Sequence, residues 1–389
     1  MNSPFIEPQL AFQQFSTGAL SHLSFAIKDL IDVQDYVTGG GNPTWKNTHE
    51  PSQQHAPCVQ LLLNAGATFK GKTITDELAY SLEGRNHFFG TPLNPKWPEA
   101  MPGGSSSGSA SAVAQQQVDF SLGTDTGGSV RVPAAFCGIW GIRPTHNAIS
   151  LTGVLPFASS FDTVGWFAHD IDTFIDVAKV LLPEDKTLLN LNSTLIGVAE
   201  AFDYRQQNAP NQAAELMNFA KKMGMHKLQQ IIQYPVQDWL ACYQYLQDAS
   251  IKENLGPWIE KYSPEFGPLM QGNFQRVMEN DGRDSAKYAA LQAEISQQLD
   301  DLLSQHILIL PTTPMALLNK DIDSTSLALF YQQALTVNAI AGLAGLPQVT
   351  IPVKNTQDYP IALSIIGPKH SDLQLIQLAK TLFHLAQDA

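Results

Sequence analysis

The 389-residue sequence predicts an α/β fold with a mixed or mostly parallel sheet. Short apolar runs typical of buried strands alternate with segments of helical periodicity over the whole length. Apolar residues make up 44% of the chain and charged residues 15%, which fits a large buried core. Because neither a repeat nor a long linker interrupts the alternation, we expect a single large domain over residues 1–389, with a central mixed sheet flanked by helices.

The first strand is predicted within residues 21–33, SHLSFAIKDLIDV. Strand alternation places Phe25 and Ile27 on one face and Ala26 and Lys28 on the other. Lys28 therefore ends a run of apolar neighbours, where a lysine is either a solvated strand end or a buried amine.

The next elements follow in order along the chain. Residues 56–69 predict a helix that ends at Gly66 and leads into a strand, and residues 109–117, SASAVAQQQ, predict a short helix of small side chains that can pack closely beneath a loop. Amphipathic helical spacing is found at residues 211–232, 235–250 and 285–305. Short buried strands are predicted at residues 306–314, 346–353 and 359–367, before a closing helix at 371–387. The polar and helical region 190–285 could form a helical cap or insertion within the domain.

Charge and composition exclude several classes of partner. A formal net charge of −13 argues against nucleic acid and anionic membranes, which require a basic face. No run approaches 18 apolar residues, and the N-terminus MNSPFIEPQLAFQQF lacks the features of a signal peptide, so we expect a cytoplasmic protein. The three widely spaced cysteines form no metal or redox motif. We expect neither a metal nor a cofactor, and the sequence leaves a homodimer open.

Two loops rich in glycine and serine carry the chemical signal: GGSSSGSAS at 103–111 and GTDTGGSVRVPAAFCG at 123–138. A phosphate-binding function is disfavoured because neither loop contains a lysine or a nucleotide-binding glycine motif. G-x-S-x-G at residues 104–108 would make Ser106 the nucleophile of an α/β-hydrolase elbow. That motif follows a strand, whereas NPKWPEAMP precedes it here with three prolines.

An acyl-transfer site explains the second loop better. The stretch TDTGGS offers consecutive backbone amides that can surround a developing oxyanion, with Ser129 as the nucleophile. No S-x-x-K motif supplies a base, so the base must come from elsewhere in the chain. Lys28 is the candidate, because burial lowers the pKa of a lysine and a neutral amine can accept a proton.

The sequence resembles the amidase signature family. The resemblance is carried by GGSSSGS at 103–109, by Ser129 within GTDTGGSVRVPAAFCG 24 residues after Ser105, and by AIKDL at 26–30. It extends nearly end to end, through TDELAYS (75–81), GTPLNP (90–95), GIRPTHN (141–147), LPTTP (310–314) and GLPQVTIPV (345–353). Many relatives have glycine where this chain has Ser107.

The resemblance implies a role for each matching residue. Lys28, Ser105 and Ser129 would form the catalytic lysine, bridging serine and nucleophile, with a cis peptide bond before Ser105. The oxyanion donors would be the backbone amides of Thr126, Gly127, Gly128 and Ser129. Asp125 and Arg131 would support the catalytic loop. A purely structural ion pair is the alternative for these two residues, and the two roles can coexist. The acyl pocket would be lined by Tyr80, Ser81 and Leu82.

The compact chain looks most like the smaller amidases that hydrolyse indole-3-acetamide and similar primary amides. We therefore expect a small arylacetamide or short aliphatic primary amide, cleaved to acid and ammonia. Three alternatives stay open. They are the amidotransferase subunit for glutaminyl-tRNA formation, a hydrolase of urea-derived amides such as biuret or allophanate, and a non-catalytic receptor-like domain.

Overall fold

The computed structural model describes residues 3–7, 10–12, 17–190, 192–353 and 359–388. Part of the N-terminal stretch considered above for a signal peptide lies outside these residues, as do the two ends of the expected domain. The described residues form one α/β unit, as the alternation of strands and helices predicts.

Eleven strands form within the described residues: β1 (Phe5–Glu7), β2 (Ser24–Lys28), β3 (Thr68–Thr73), β4 (Phe120–Asp125), β5 (Trp140–Arg143), β6 (Thr163–Ala168), β7 (Thr194–Val198), β8 (Met225–Gln229), β9 (His306–Pro311), β10 (Gln348–Val353) and β11 (Ile361–Ile366). The helices of the same residues are α1 (Pro43–Thr48), α2 (Pro57–Asn64), α3 (Ser107–Ala114), α4 (Arg131–Cys137), α5 (Ile171–Leu181), α6 (Ala199–Asn208), α7 (Pro210–Lys222), α8 (Val236–Tyr262), α9 (Pro268–Glu279), α10 (Ser285–Leu303), α11 (Ser324–Ala344) and α12 (Asp372–Asp388).

The strands make one mixed sheet in the order β1-β3-β2-β4-β6-β5-β10-β11-β9-β7-β8. β2 is parallel to both β3 and β4, and β7 is parallel to both β8 and β9. The other neighbouring pairs are antiparallel. The expectation of a mixed sheet flanked by helices is confirmed.

The two faces of β2 pack against different parts of the core. Phe25 and Ile27 belong to the cluster that includes α2, α5 and α12, whereas Ala26 packs with residues of α3 and α4. The alternation predicted for this strand is therefore present, and it turns Lys28 toward the side on which Ala26 meets the helices that follow the two glycine-rich loops.

One predicted helix is shorter than its periodicity suggests. Within residues 211–232, α7 ends at Lys222, and Met225–Gln229 forms the edge strand β8 beside β7. The helical prediction is wrong for this strand. Gly224, with φ at +94°, ends the helical path, and the pairing with β7 is a long-range contact that local spacing does not encode.

The region 190–285 contributes to both the sheet and the helical layer. Its first part supplies β7 and β8, and its second part supplies α8 and α9, which pack against each other. α8 also packs against α10 and α11. The helices of this region are therefore joined to the rest of the domain, and a cap or insertion over 190–285 stays a prediction.

In the part of the chain that the structure describes, one helix, α11, is long and apolar enough to cross a membrane by length and composition. Its most apolar stretch is 67% buried inside the protein, where it packs against α8 and α10. Core helices of soluble proteins have the same properties.

Candidate active site

The sheet brings Lys28 to the two glycine-rich loops. β2 and β4 are parallel neighbours with Ile27 opposite Leu122, so their carboxyl ends lie side by side. Lys28 is the last residue of β2, and the loop of Thr126 to Ser129 begins where β4 ends. Groups at the carboxyl ends of parallel strands are well placed for chemistry, because the chain leaves the sheet there at one common edge.

Lys28 is completely buried and contacts two hydroxyl groups. Its Nζ lies 2.7 Å from Ser105 Oγ and 2.9 Å from Thr124 Oγ1. Burial lowers the pKa of Lys28 to about 7, although three buried carboxylates nearby oppose this effect. The lowered pKa makes the neutral amine accessible near neutral pH, in direct contact with the predicted bridging serine.

The loop of Ser105 contacts the loop of Ser129 through the backbone. The amide of Ser106 donates to the carbonyl of Ser129 at 3.2 Å, and the Gly104–Ser105 peptide is cis. Gly104 has no room for a side chain, because a Cβ there would lie 1.9 Å from Asp76 Oδ2. The glycines thus allow two loops, far apart in sequence, to approach each other closely.

Ser106, the alternative nucleophile, is directed elsewhere. Its hydroxyl donates to the carbonyl of Thr124 at 3.1 Å, and the side chain is completely buried. The segment before it, residues 95–103, contains no strand. An α/β-hydrolase elbow is therefore absent at residues 104–108.

Asp125 is the centre of a buried ionic network. Its carboxylate accepts hydrogen bonds from Arg131 Nε at 3.0 Å and Nη2 at 2.7 Å, and Arg143 Nη1 lies 3.4 Å away. Burial alone would raise the pKa of Asp125, but the two guanidinium groups hold it well below its usual range. Arg131 continues to the carbonyl of Asn338 at 2.9 Å, so the pair ties the loop to α11. The supporting role of Asp125 and Arg131 stays a prediction, with this network as its structural basis.

One of the four predicted oxyanion donors is already engaged. The amide of Gly128 donates to Asp125 Oδ1 at 3.0 Å, so it does not point to a substrate in this structure. The Gly128 N–H is thus engaged by the carboxylate that organises the loop, and the assignment of the four oxyanion donors stays a prediction. The other three predicted oxyanion donors, Thr126, Gly127 and Ser129, all line the same cavity.

That cavity has a volume of about 360 Å³ and contains the predicted pocket residues. Tyr80, Ser81 and Leu82 line it together with Ser129, although the Ser81 hydroxyl donates to Asp76 behind the wall. Other walls come from α8, α9 and α11, with Phe157 on the loop before β6. The remaining lining side chains are largely apolar or neutral: Ala79, Phe157, Gln244, Gln247, Leu269, Asn273, Ser324, Leu327, Ala328, Tyr331, Gln332 and Leu335.

Arg276 is the one charged side chain among the described residues that line the cavity. Its Nε lies 2.9 Å from Asp248 Oδ2, and its Nη2 donates to the hydroxyl of Tyr80 at 2.6 Å. Tyr80 donates in turn to Asp248 Oδ1 at 2.8 Å. Arg276 is therefore paired with a buried carboxylate behind the wall, while its guanidinium itself lines the cavity.

Sequence reasoning missed three polar groups of the site. Thr124 contacts the lysine amine, and Asp162 accepts from the Thr126 hydroxyl at 2.5 Å. Asp76 accepts from Ser81 in the pocket wall and from Ser107 after the serine loop. Thr124 and Asp76 lie in stretches quoted above and Asp162 does not, but the contacts of all three depend on the fold. In the part of the chain that the structure describes, no group of three or more His, Cys, Asp or Glu side chains could hold a metal ion.

Comparison with known proteins identifies the class and the family. A family profile described as Amidase matches residues 6–215 and 211–376. The chain is 36% identical to Amidase 1 of Oryza sativa subsp. japonica, over 99% of this chain and 94% of that protein. It is 34% identical to Translocon at the outer membrane of chloroplasts 64 of Pisum sativum, over 95% of this chain and 67% of that protein.

Among solved structures, allophanate hydrolase of Kluyveromyces lactis superposes with a TM-score of 0.82 at 26% identity, covering 94% of this chain and 62% of that one. With the fold and the site described above, these findings make the protein an amide-hydrolysing enzyme. The chain belongs to the Amidase family, and the resemblance noted from its two glycine-rich loops is confirmed.

Proposed function

We propose that the enzyme hydrolyses small uncharged primary amides, arylacetamides or short aliphatic amides, to the acid and ammonia through an acyl-enzyme on Ser129. The observation that carries the proposal is the 2.7 Å contact between the buried Lys28 amine and the Ser105 hydroxyl, in a loop that is hydrogen-bonded to Ser129. A lysine with a pKa of about 7 can act as a base at neutral pH.

The hydrogen bonds of Lys28 suit a proton relay. A neutral amine has two N–H groups and one lone pair, so it can donate to Thr124 and accept the proton of Ser105. As Ser129 Oγ attacks the carbonyl carbon, its proton passes to Ser105, whose own proton passes to Lys28. The backbone amides of Thr126, Gly127 and Ser129 donate hydrogen bonds that stabilise the negative charge on the carbonyl oxygen.

The second half of the reaction reverses the relay. Ser105 gives its proton to the leaving nitrogen and regains one from the Lys28 ammonium, so ammonia departs and the amine is neutral again. Water then attacks the ester carbonyl, its proton follows the same route, and Ser129 recovers its hydroxyl proton as the acid leaves. The cycle is balanced without an additional reactant.

The cavity supports an uncharged substrate with an apolar acyl group. Phe157, Leu269, Leu327 and Leu335 provide apolar walls, and a volume of about 360 Å³ accommodates a small molecule. Arg276 is the one charged side chain among the described lining residues, and it is shared with Asp248 and Tyr80. Turnover of allophanate and of biuret is therefore compared with that of neutral primary amides in the assay.

The test is ammonia release by the purified chain alone. We expect turnover of indole-3-acetamide, phenylacetamide or a short aliphatic amide, and none by Ser129→Ala. A fluorophosphonate should add to Ser129 in the wild type, as seen by peptide mass. Turnover of allophanate or biuret would instead indicate a hydrolase of urea-derived amides. Turnover of glutamine only with an added partner protein would indicate an amidotransferase subunit. Absence of both turnover and adduct would favour a receptor-like domain.

We also propose a cytoplasmic location and leave the oligomeric state to measurement, with a homodimer as one outcome. The proposed location is based on the net charge of −13, which disfavours binding to anionic membranes. Fractionation of cells that express the tagged chain tests the first point, and light scattering of the purified enzyme tests the second.

A further inference from the structure

Asp76 lies at the junction of the pocket wall and the serine loop. It is completely buried, and its Oδ2 accepts from the amide of Gly84 at 3.0 Å and from the hydroxyl of Ser81. Its Oδ1 accepts from Ser107 Oγ at 3.0 Å, at the start of α3. These donors satisfy the carboxylate without a direct salt bridge, so its negative charge acts on its surroundings.

The backbone of the same residue holds the predicted bridging serine. The Asp76 amide donates to the carbonyl of Ser105 at 3.1 Å, and the hydroxyl of Thr75 donates to this carbonyl at 3.1 Å. The carboxylate also fills the space next to Gly104, where a Cβ would lie 1.9 Å from Oδ2. Asp76 is thus packed against the loop whose hydroxyl contacts the lysine.

Several charged groups surround Lys28, and Asp76 has the largest influence among the carboxylates. Asp125 is paired with two arginines, and Asp162 accepts from Thr126 and from two backbone amides. On the neighbouring strand β3, Lys72 pairs with Asp29 at 2.7 Å. The charged groups near Lys28, or interacting with those neighbours, are Asp76, Glu83, Asp125, Asp162, Arg131, Arg143, Lys72 and Asp29.

We propose that Asp76, held ionised by Ser81 and Ser107, is a positioning residue that provides the countercharge of Lys28 and fixes the pH at which the lysine relay becomes active. The inference depends on the proposed function of Lys28 as the base. Ser107 gains a role in this chain because its hydroxyl is one of the donors to the carboxylate.

The direction of the effect follows from the charges. Burial raises the pKa of Asp76 to about 6, while its hydrogen bonds and Lys28 oppose this. The bonds from Ser81, Ser107 and Gly84 and the charge of Lys28 all favour the ionised form of Asp76. A negative neighbour favours the protonated amine, so removing it lets the amine become neutral at lower pH.

Asp76→Asn tests the charge with little change of shape. The asparagine oxygen can keep the bonds from Gly84 and Ser81, and its NH₂ group can donate to the Ser107 hydroxyl, which accepts as well as donates. We expect the acid limb of kcat/KM to move to lower pH by about 1 unit, which is about tenfold more relative activity below the limb. An unmoved limb in a folded variant, or a shift to higher pH, would overturn the proposal.

Ser107→Ala keeps the inference testable if Asp76→Asn does not fold. Loss of this donor makes Asp76 easier to protonate, so the limb should shift in the same direction by a smaller amount. Ser109→Ala is the matched control on the same helix. Its buried hydroxyl donates to the carbonyl of Leu122 at 2.8 Å and does not contact Asp76, so its limb should stay in place. Equal shifts in both serine variants would refute the assignment.

Lys28→Ala separates this inference from the proposed function. If Lys28→Ala retains most of the wild-type turnover, the lysine is not the base and the proposed mechanism itself fails. If Lys28→Ala is inactive but Asp76→Asn has the wild-type pH profile, only the role of Asp76 is refuted.

Discussion

Replacement of Asp125 by asparagine tests the ionic network that organises the Ser129 loop. The change removes the countercharge of Arg131 and Arg143, both completely buried, while the volume of the side chain is kept. Removal of one partner of a buried pair typically costs about 3–5 kcal/mol, because the remaining charge is left uncompensated. The amide of Gly128 also loses a charged acceptor.

The expected shift in melting temperature follows from the size of the chain. For 389 residues, an unfolding entropy of about 2.1 cal/mol/K per residue gives about 0.8 kcal/mol/K. A loss of about 3–5 kcal/mol therefore lowers Tm by about 4–6 °C. Differential scanning calorimetry measures this shift, and ammonia release at 20 °C measures the activity of the folded variant, which should fall as the loop loses its anchor.

A matched exposed carboxylate provides the control. Asp172 pairs with Lys380 at 2.6 Å but its side chain is 77% exposed, so Asp172→Asn should leave Tm nearly unchanged. If Asp125→Asn and Asp172→Asn have the same Tm, the buried pair does not stabilise the loop and the argument is refuted.

Four further predictions concern the site. Lys28→Ala and Ser129→Ala should each lower kcat by more than about 10³-fold in the ammonia assay, run at a temperature at which both variants are folded, and a single active variant would remove that residue from the mechanism. Wild-type kcat/KM should fall as pH decreases through about 7, because Lys28 becomes protonated, so a flat profile would contradict the neutral amine. Gly104→Ala should destabilise the protein by about 1–3 kcal/mol in urea unfolding, since its Cβ would lie 1.9 Å from Asp76 Oδ2, unless the loop can move. Tyr80→Phe should raise KM about tenfold with a smaller effect on kcat, because the hydroxyl that joins α8 and α9 at the cavity is lost. An unchanged KM would show that this link does not shape the cavity.

The sequence by itself determined the elements whose signals are local. Alternation within β2 put Phe25 and Ile27 on one face and turned Lys28 to the other, because the side-chain period of a strand is two residues. The two loops were visible because glycine is needed where backbones approach closely, as at Gly104. The resemblance then connected Lys28, Ser105 and Ser129 before any coordinates were considered.

Only the tertiary structure decided how these pieces meet. The contact between Lys28 and Ser105 spans 77 positions of sequence. The edge strand β8 exists because it pairs with β7, although its residues continue a helical pattern. The Gly128 amide is taken by Asp125, and Asp76 reaches the serine loop, because the fold packs their carboxylates where backbone donors are close. Local periodicity specifies faces and turns, whereas hydrogen-bond partners and the charges around a buried amine depend on which distant segments the folded core brings together.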